Sequence, residues 1–169
     1  MNRSGVLTVV DTSKSVNLEA ERAKVLRERD DLIREFEEKY VFDANQKYRP
    51  NIRRKNYVDS SYYEGEVDEE QRQGKGIYHY ANGDKYAGDW RDDRFHGKGY
   101  YIFSNGERYE GDLRDGQKAG RGIYQYINGN RYEGEWAADR KNGRGTYYYR
   151  ASGEKYDGEW RDGEKNGRG

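Results

Sequence analysis

Residues 86–90, Tyr86-Ala87-Gly88-Asp89-Trp90, decide the fold, because their Tyr-x-Gly-x-(apolar) frame returns four more times. It stands at Tyr63-Glu64-Gly65-Glu66-Val67, Tyr109-Glu110-Gly111-Asp112-Leu113, Tyr132-Glu133-Gly134-Glu135-Trp136 and Tyr156-Asp157-Gly158-Glu159-Trp160, at spacings of 23, 23, 23 and 24 residues. A fixed period of roughly 20 to 50 residues marks an array whose units cannot bury an apolar face alone and must stack. The sequence therefore predicts an elongated scaffold or binding protein.

Each unit has a second half: Gly74-Lys75-Gly76-Ile77-Tyr78-His79-Tyr80 in the first, then Gly97-Lys98-Gly99-Tyr100-Tyr101-Ile102-Phe103, Gly120-Arg121-Gly122-Ile123-Tyr124-Gln125-Tyr126 and Gly143-Arg144-Gly145-Thr146-Tyr147-Tyr148-Tyr149. Aromatic and β-branched density favours strands here. Turn signals follow at Asn82-Gly83, Asn105-Gly106 and Asn128-Gly129. A two-residue turn would throw Tyr86 onto the face opposite Tyr78, because side chains alternate along a strand. A three-residue loop with a left-handed glycine pairs Tyr78 with Tyr86 and Gly76 with Gly88, and gathers the aromatics on one face. The fourth loop, Arg150-Ala151-Ser152-Gly153, is one residue longer and absorbs the 24-residue spacing.

The expected product is a meander advancing about 9.6 Å per repeat, at ~4.8 Å per strand. One face carries Tyr63, Tyr78, Tyr80, Tyr86, Trp90, Tyr101, Phe103, Tyr109, Tyr124, Tyr126, Tyr132, Trp136, Tyr147, Tyr149, Tyr156 and Trp160. Glycines 65, 88, 111, 134 and 158 leave room for rings to lie across the backbone. The other face carries charges such as Lys85/Asp89 and Arg131/Glu133/Glu135, a surface suited to water.

Upstream the chain changes character: of 22 glycines only Gly5 precedes residue 63. Residues 1–16 form an N-terminal arm. Residues 17–42 hold a helix, capped by Asn17, with Leu18, Val25, Leu26, Leu32, Ile33, Phe36 and Tyr40 at helical spacing. Lys24/Glu28, Asp30/Arg34 and Glu35/Lys39 are i, i+4 pairs on its outer face. Its apolar stripe, Val25, Leu32 and Phe36 above all, needs a cover, either the chain's own sheet or a partner. Residues 43–62 form a linker whose basic arm comprises Lys47, Arg49, Arg53, Arg54 and Lys55. It reads either as a solvated extended segment across the sheet or as an arm for acidic tails, lipid head groups or RNA.

Composition narrows function. Of 169 residues 38% are charged and 32% apolar, so a thick aliphatic core is not expected, while 15% aromatic content argues against simple disorder. With 32 basic and 32 acidic residues there is no global field to recruit nucleic acid or an anionic membrane. Residues 63–169 hold 19 Lys/Arg against 21 Asp/Glu, a net of −2, which argues against a nucleic-acid platform despite the aromatics. There is no cysteine, and no apolar run approaches the roughly 20 residues of a membrane span. His79, in a strand facing the polar side, and His96, in a turn before Gly97, are non-equivalent and converge on no carboxylate or serine pair. An enzyme, a cofactor and a metal site are accordingly not expected.

At these residues the chain resembles the MORN-repeat family, whose unit reads close to Tyr-Glu-Gly-Glu-Trp, a short turn, Gly-x-Gly-x-(aromatic)-x-(aromatic) and an Asn/Asp-Gly turn. The resemblance spans five units in residues 63–169, with Val67 and Leu113 in place of Trp and the last unit incomplete. It implies a mainly β fold, an elongated single-layer antiparallel meander, here preceded by an N-terminal α-helix and extended arm. It also implies scaffolding at cytoskeletal structures, in cilia and flagella including radial spoke heads, and membrane-associated contacts.

The combined expectation is a non-enzymatic structural protein that binds other proteins of a large assembly through an aromatic groove lined by the rings from Tyr78 to Trp160 named above. Its expected place is the cytoplasm and cytoskeleton, within a ciliary or flagellar axoneme. The alternative is a membrane–cytoskeleton tether binding anionic phospholipids through the basic arm. The C-terminal sheet edge offers a route to homo-association.

Overall fold

The computed structural model describes residues 51–167 together with Ala20, Ala23, Lys24, Arg27, Asp31 and Arg34. Eleven antiparallel strands in sequence order form one open sheet: β1 Ile52–Asn56, β2 Tyr62–Asp68, β3 Gln71–His79, β4 Lys85–Arg91, β5 Arg94–Ile102, β6 Arg108–Arg114, β7 Gln117–Gln125, β8 Arg131–Ala137, β9 Arg140–Tyr148, β10 Lys155–Arg161 and β11 Glu164–Asn166. The six described residues between 20 and 34 are helical and exposed. They share one side of the expected helix, and Arg34 contacts the Asp31 carboxylate there. The expected apolar stripe, including Val25, Leu32 and Phe36, lies outside the described residues, as do Lys47 and Arg49.

Two kinds of hairpin alternate. After β3, β5 and β7 the loop has three residues: Tyr80 N–H donates to Asp84 O and Gly83 N–H to Tyr80 O, with Gly83 at φ 89°. This is the expected loop, and it pairs Tyr78 with Tyr86 and Gly76 with Gly88. The 150–153 loop is longer and still pairs Tyr147 with Tyr156. After β2, β4, β6, β8 and β10 a two-residue turn closes the hairpin. Both its residues have positive φ, as at Asp92 (49°) and Asp93 (63°), the primed geometry whose twist matches the strands it joins.

Each long strand is regular toward one neighbour and bulged toward the other. From Gly88↔Gly99 the pairing jumps to Asp89↔His96, with Gly97 in the bulge at φ 66°. The bulge exposes a backbone N–H, and a carboxylate takes it: Lys98 N–H donates to Asp89 Oδ2 and Arg121 N–H to Asp112 Oδ2, each at 2.9 Å. The acid between Gly and Trp of the repeat frame thus caps a bulge. It is more than solubilising charge. His96 belongs to strand β5, not to a turn.

The repeat frame also begins earlier than the glycines indicate. Within the segment expected as a linker, Ile52–Asn56 pairs with β2 as an edge strand. Tyr57 N–H donates to Ser61 O and Ser60 N–H to Tyr57 O, the same hydrogen bonds that Tyr80, Asp84 and Gly83 make 23 residues later. Asp59 Oδ1 accepts from Ser61 N–H as Asn82 Oδ1 accepts from Asp84 N–H. Ser60, at φ 70°, occupies the left-handed position that glycine fills in the later loops. A half-unit, β1 and its loop, therefore precedes the five visible repeats.

Candidate protein-interaction surface

The aromatic residues on one side of the sheet separate into two tiers. In the inner tier, Tyr63, Tyr86, Tyr109 and Tyr132 are fully buried and Trp90, Trp136 and Trp160 nearly so. The tyrosine rings fold back over glycine pairs of their own and the next strand, and each hydroxyl donates to the carbonyl three residues on, such as Tyr86 to Asp89 O at 2.8 Å. The indole N–H groups donate to glycine carbonyls: Trp90 to Gly76, Trp136 to Gly122 and Trp160 to Gly145, at 3.0 to 3.1 Å. Each tryptophan meets tyrosines edge-on, as Trp90 does Tyr63 and Tyr86 at interplanar angles of 77° and 83°. A single-layer sheet thus obtains a core with no second layer, by laying its own rings on its own backbone. Burial pushes the tyrosine hydroxyls upward, to about 12 for Tyr132.

The outer tier is a ribbon of nine rings running from Tyr57 through Tyr78, Tyr80, Tyr101, Phe103, Tyr124, Tyr126 and Tyr147 to Tyr149. Successive centroids stand 5.6, 4.6, 5.8, 4.5, 5.9, 4.6, 5.6 and 4.8 Å apart. Tyr57 is exposed and the others half-buried. One ring per repeat is fastened by the preceding loop: Tyr101 donates to Asp84 at 3.1 Å and Tyr124 to Glu107 at 2.8 Å. Burial raises the Asp84 carboxyl, but hydrogen bonds from Ser104, Asn82 and Tyr101 outweigh it and hold the pKa low. Tyr156 is half-buried against Trp160 at the C-terminal end.

Across each two-residue hairpin, the position facing Val67, Trp90, Leu113, Trp136 or Trp160 is filled by Arg72, Phe95, Lys118, Lys141 or Lys165. These residues roof the inner tier. Arg72 lies 4.4 Å from the Trp90 ring centre, Lys118 5.2 Å from Trp136 and Lys141 4.4 Å from Trp160. Cation–ring contacts of this kind contribute about 0.5 to 2 kcal/mol according to their desolvation. Burial lowers the pKa of Lys118 and of Lys141. Sequence reading missed this column, because a single basic residue per repeat looks like a solvated charge. The signal was its 23-residue spacing.

The rings form a packed ladder and not a groove. A concavity lies on the opposite face, a trough of about 910 Å³ that includes the glycine pairs Gly88/Gly99, Gly111/Gly122 and Gly134/Gly145 in its lining, with Tyr100, Ile123 and Tyr148. Lys75 pairs with Asp89 there and Lys98 with Asp112. This face is not uniformly polar, since Ile77, Ala87, Ile102 and His79 are buried on it. His79, expected among solvated side chains, stacks on Tyr62 at 4.1 Å, and burial pulls its pKa down to about 4. His96 contacts Arg91 at 3.1 Å. Among the described residues no cluster of His, Asp or Glu is arranged to hold a metal. Of the basic arm, Arg53 pairs with Glu70, Arg54 with Glu64 and Lys55 with Glu70.

The repeat architecture, the ring-on-glycine core and the 23-residue frame define a class, the open-sheet repeat proteins. The MORN repeat model matches residues 63–85, 86–108, 109–131, 132–153 and 156–169, and the chain belongs to the MORN-repeat family. A search of curated proteins finds no match to the chain. Membership brings the general role of such arrays, structural binding of proteins or membranes.

Proposed function

We propose that the chain is a non-enzymatic structural adaptor that holds another protein against its aromatic ribbon, within a cytoskeletal assembly such as a ciliary or flagellar axoneme. The observation that carries this reading is the ribbon itself: nine rings in unbroken succession that remain at the surface when the inner tier already closes the core. Contiguous aromatic surface of this extent favours an occupant, and tyrosine supplies contact area with a polar tip at each ring. The trough on the other face is a weaker candidate, because ion pairs and bare backbone line it. The axonemal setting rests on the family resemblance. A lipid tether is disfavoured by the ion pairing of Arg53, Arg54 and Lys55, which leaves little free charge on the described part of the arm.

Crosslinking of the full chain in its native source, with Tyr80→Ser/Tyr126→Ser beside the wild type, tests the proposal. The wild type is expected to crosslink to axonemal proteins through the ribbon, and the variant to lose them while melting nearly unchanged. Lipid or membrane-protein crosslinks that survive in the variant would overturn it in favour of the tether.

A further inference from the structure

The roofing cations follow a pairing rule that one repeat breaks. Arg72 is met by the tip of the next two-residue turn: its N–H and Nε donate to Asp93 Oδ1, both at 2.9 Å, and Asp93 N–H donates back to Arg72 O. Lys118 is met in the same way by Asp139, whose carboxylate accepts from the Lys118 N–H at 2.9 Å and stands 4.0 Å from its ammonium. Where the roof is the uncharged Phe95, the tip residue is Gly116. Lys141 should then face an acid, yet the tip that meets it is Gly163, whose N–H donates to Lys141 O at 2.9 Å. Among the described residues Lys141 has no carboxylate partner. The Lys141 ammonium stands over a ribbon ring, 4.9 Å from Tyr147, and the neighbouring Lys165 stands 5.1 Å from Tyr149. Their mutual repulsion contributes to the lowered Lys141 pKa after burial.

We infer that Lys141 is the receiving site for a carboxylate of an acidic, extended peptide segment of the partner, which lies along the aromatic ribbon with its acid beside Tyr147. The inference rests on the adaptor reading and names its ligand chemistry. Charge complementarity sets the position, since the equivalent cations Arg72 and Lys118 are neutralised by Asp93 and Asp139. Pitch suits the conformation: three residues of a polyproline-II segment rise about 9.3 Å, against about 9.6 Å for the two strands of a repeat. One ligand turn is therefore close to the advance of one repeat. A protein ligand is preferred to a lipid surface because this face offers an unpaired roof cation at one repeat, whereas anionic lipid recruits clusters of about four to eight Lys/Arg.

The test uses the full chain and a capped Glu-Pro-Pro repeat peptide of about twelve residues, four turns of polyproline II. A Lys-Pro-Pro peptide, inorganic phosphate and phosphatidylserine vesicles are the comparison arms. The acidic peptide alone is expected to bind. Lys141→Gln should weaken it about thirtyfold, the lower end for loss of one desolvated charge pair. Gly163→Asp should weaken it as much by supplying the missing internal partner. Aspartate fits there, because a Cβ at Gly163 has nothing within 4 Å and Asp93 and Asp139 hold positive φ (63° and 65°) at the equivalent turn position. Lys118→Gln, whose partner is internal, should bind as the wild type does. Wild-type affinity in the Lys141→Gln and Gly163→Asp variants, no peptide binding, or Lys141-dependent binding of vesicles or phosphate without peptide overturns the inference. If native crosslinks depend on Tyr80 and Tyr126 but persist in Lys141→Gln, this inference fails and the adaptor reading stands.

Discussion

The phenol of Tyr86 occupies the space that a side chain at Gly99 would need: a Cβ built there would stand 2.5 Å from both the Tyr86 Oη and Cε2. The glycine is required for closeness, and every internal repeat makes the same ring-over-glycine contact. Gly99→Ala is therefore expected to cost at least about 3 kcal/mol, at the upper end for overpacking, because the obstruction is a buried ring hydrogen-bonded to Asp89 O. Urea unfolding measures it. A loss under 1 kcal/mol, roughly the size of an ordinary surface change, would show that the ring can move aside.

The two-residue turns predict a gain instead. Ala138, at φ 47°, holds a left-handed conformation that costs an L-residue roughly 1 kcal/mol. Asparagine favours that position in primed turns. Ala138→Asn should raise the urea midpoint by the equivalent of ~0.5 to 1 kcal/mol with the slope unchanged. An unchanged or lower midpoint would contradict the turn geometry.

These sites mark where sequence reading succeeds and stops. The Tyr78↔Tyr86 register was legible because strand alternation admits one loop length that keeps both rings on one face, and Gly83 supplies its left-handed residue. The half-unit at Tyr57 to Ser61 was hidden because Ser60 takes glycine's place and Lys55 stands where later strands have an aromatic. The aromatic face was legible as a face, but its burial was not. Alternation tells which side a ring is on, and only the contact of Tyr86 with Gly99 tells that it folds onto its own sheet. Lys141 and Asp139 read as surface charge until the turn of one repeat is seen to meet the strand of another.

His79 makes the fold sensitive to acid. Its pKa is about 4 in the folded chain because burial disfavours the charged form, against about 6.5 when unfolded. Between those values the unfolded state binds the extra proton, so stability is full above pH 6.5 and falls as pH drops toward 4. The loss is at most about 1.4 kcal/mol per pH unit. His79→Phe keeps a ring against Tyr62 and removes the titration. Unfolding free energies at pH 7 and pH 5 should differ less in the variant than in the wild type, and equal differences would exclude His79 as the source.

The two aromatic tiers predict opposite outcomes for similar substitutions. Strand alternation alone puts Trp90 and Trp136 on the face expected to hold a partner, where tryptophan is a usual anchor. Their burial, their N–H bonds to Gly76 O and Gly122 O and their contacts with flanking tyrosines place them inside the array. Trp90→Ala or Trp136→Ala should cost about 3 to 5 kcal/mol. Because repeats contact only their neighbours, hydrogen exchange should speed up first in the strands beside the lost ring. Tyr80→Ser and Tyr126→Ser remove half-buried rings from the ribbon, so they should shift melting much less while lowering partner capture. Measuring melting, exchange and capture on the same four proteins separates core from surface. If the tryptophan variants keep wild-type exchange and lose capture, the inner tier would be the contact surface after all, and the ribbon mere packing.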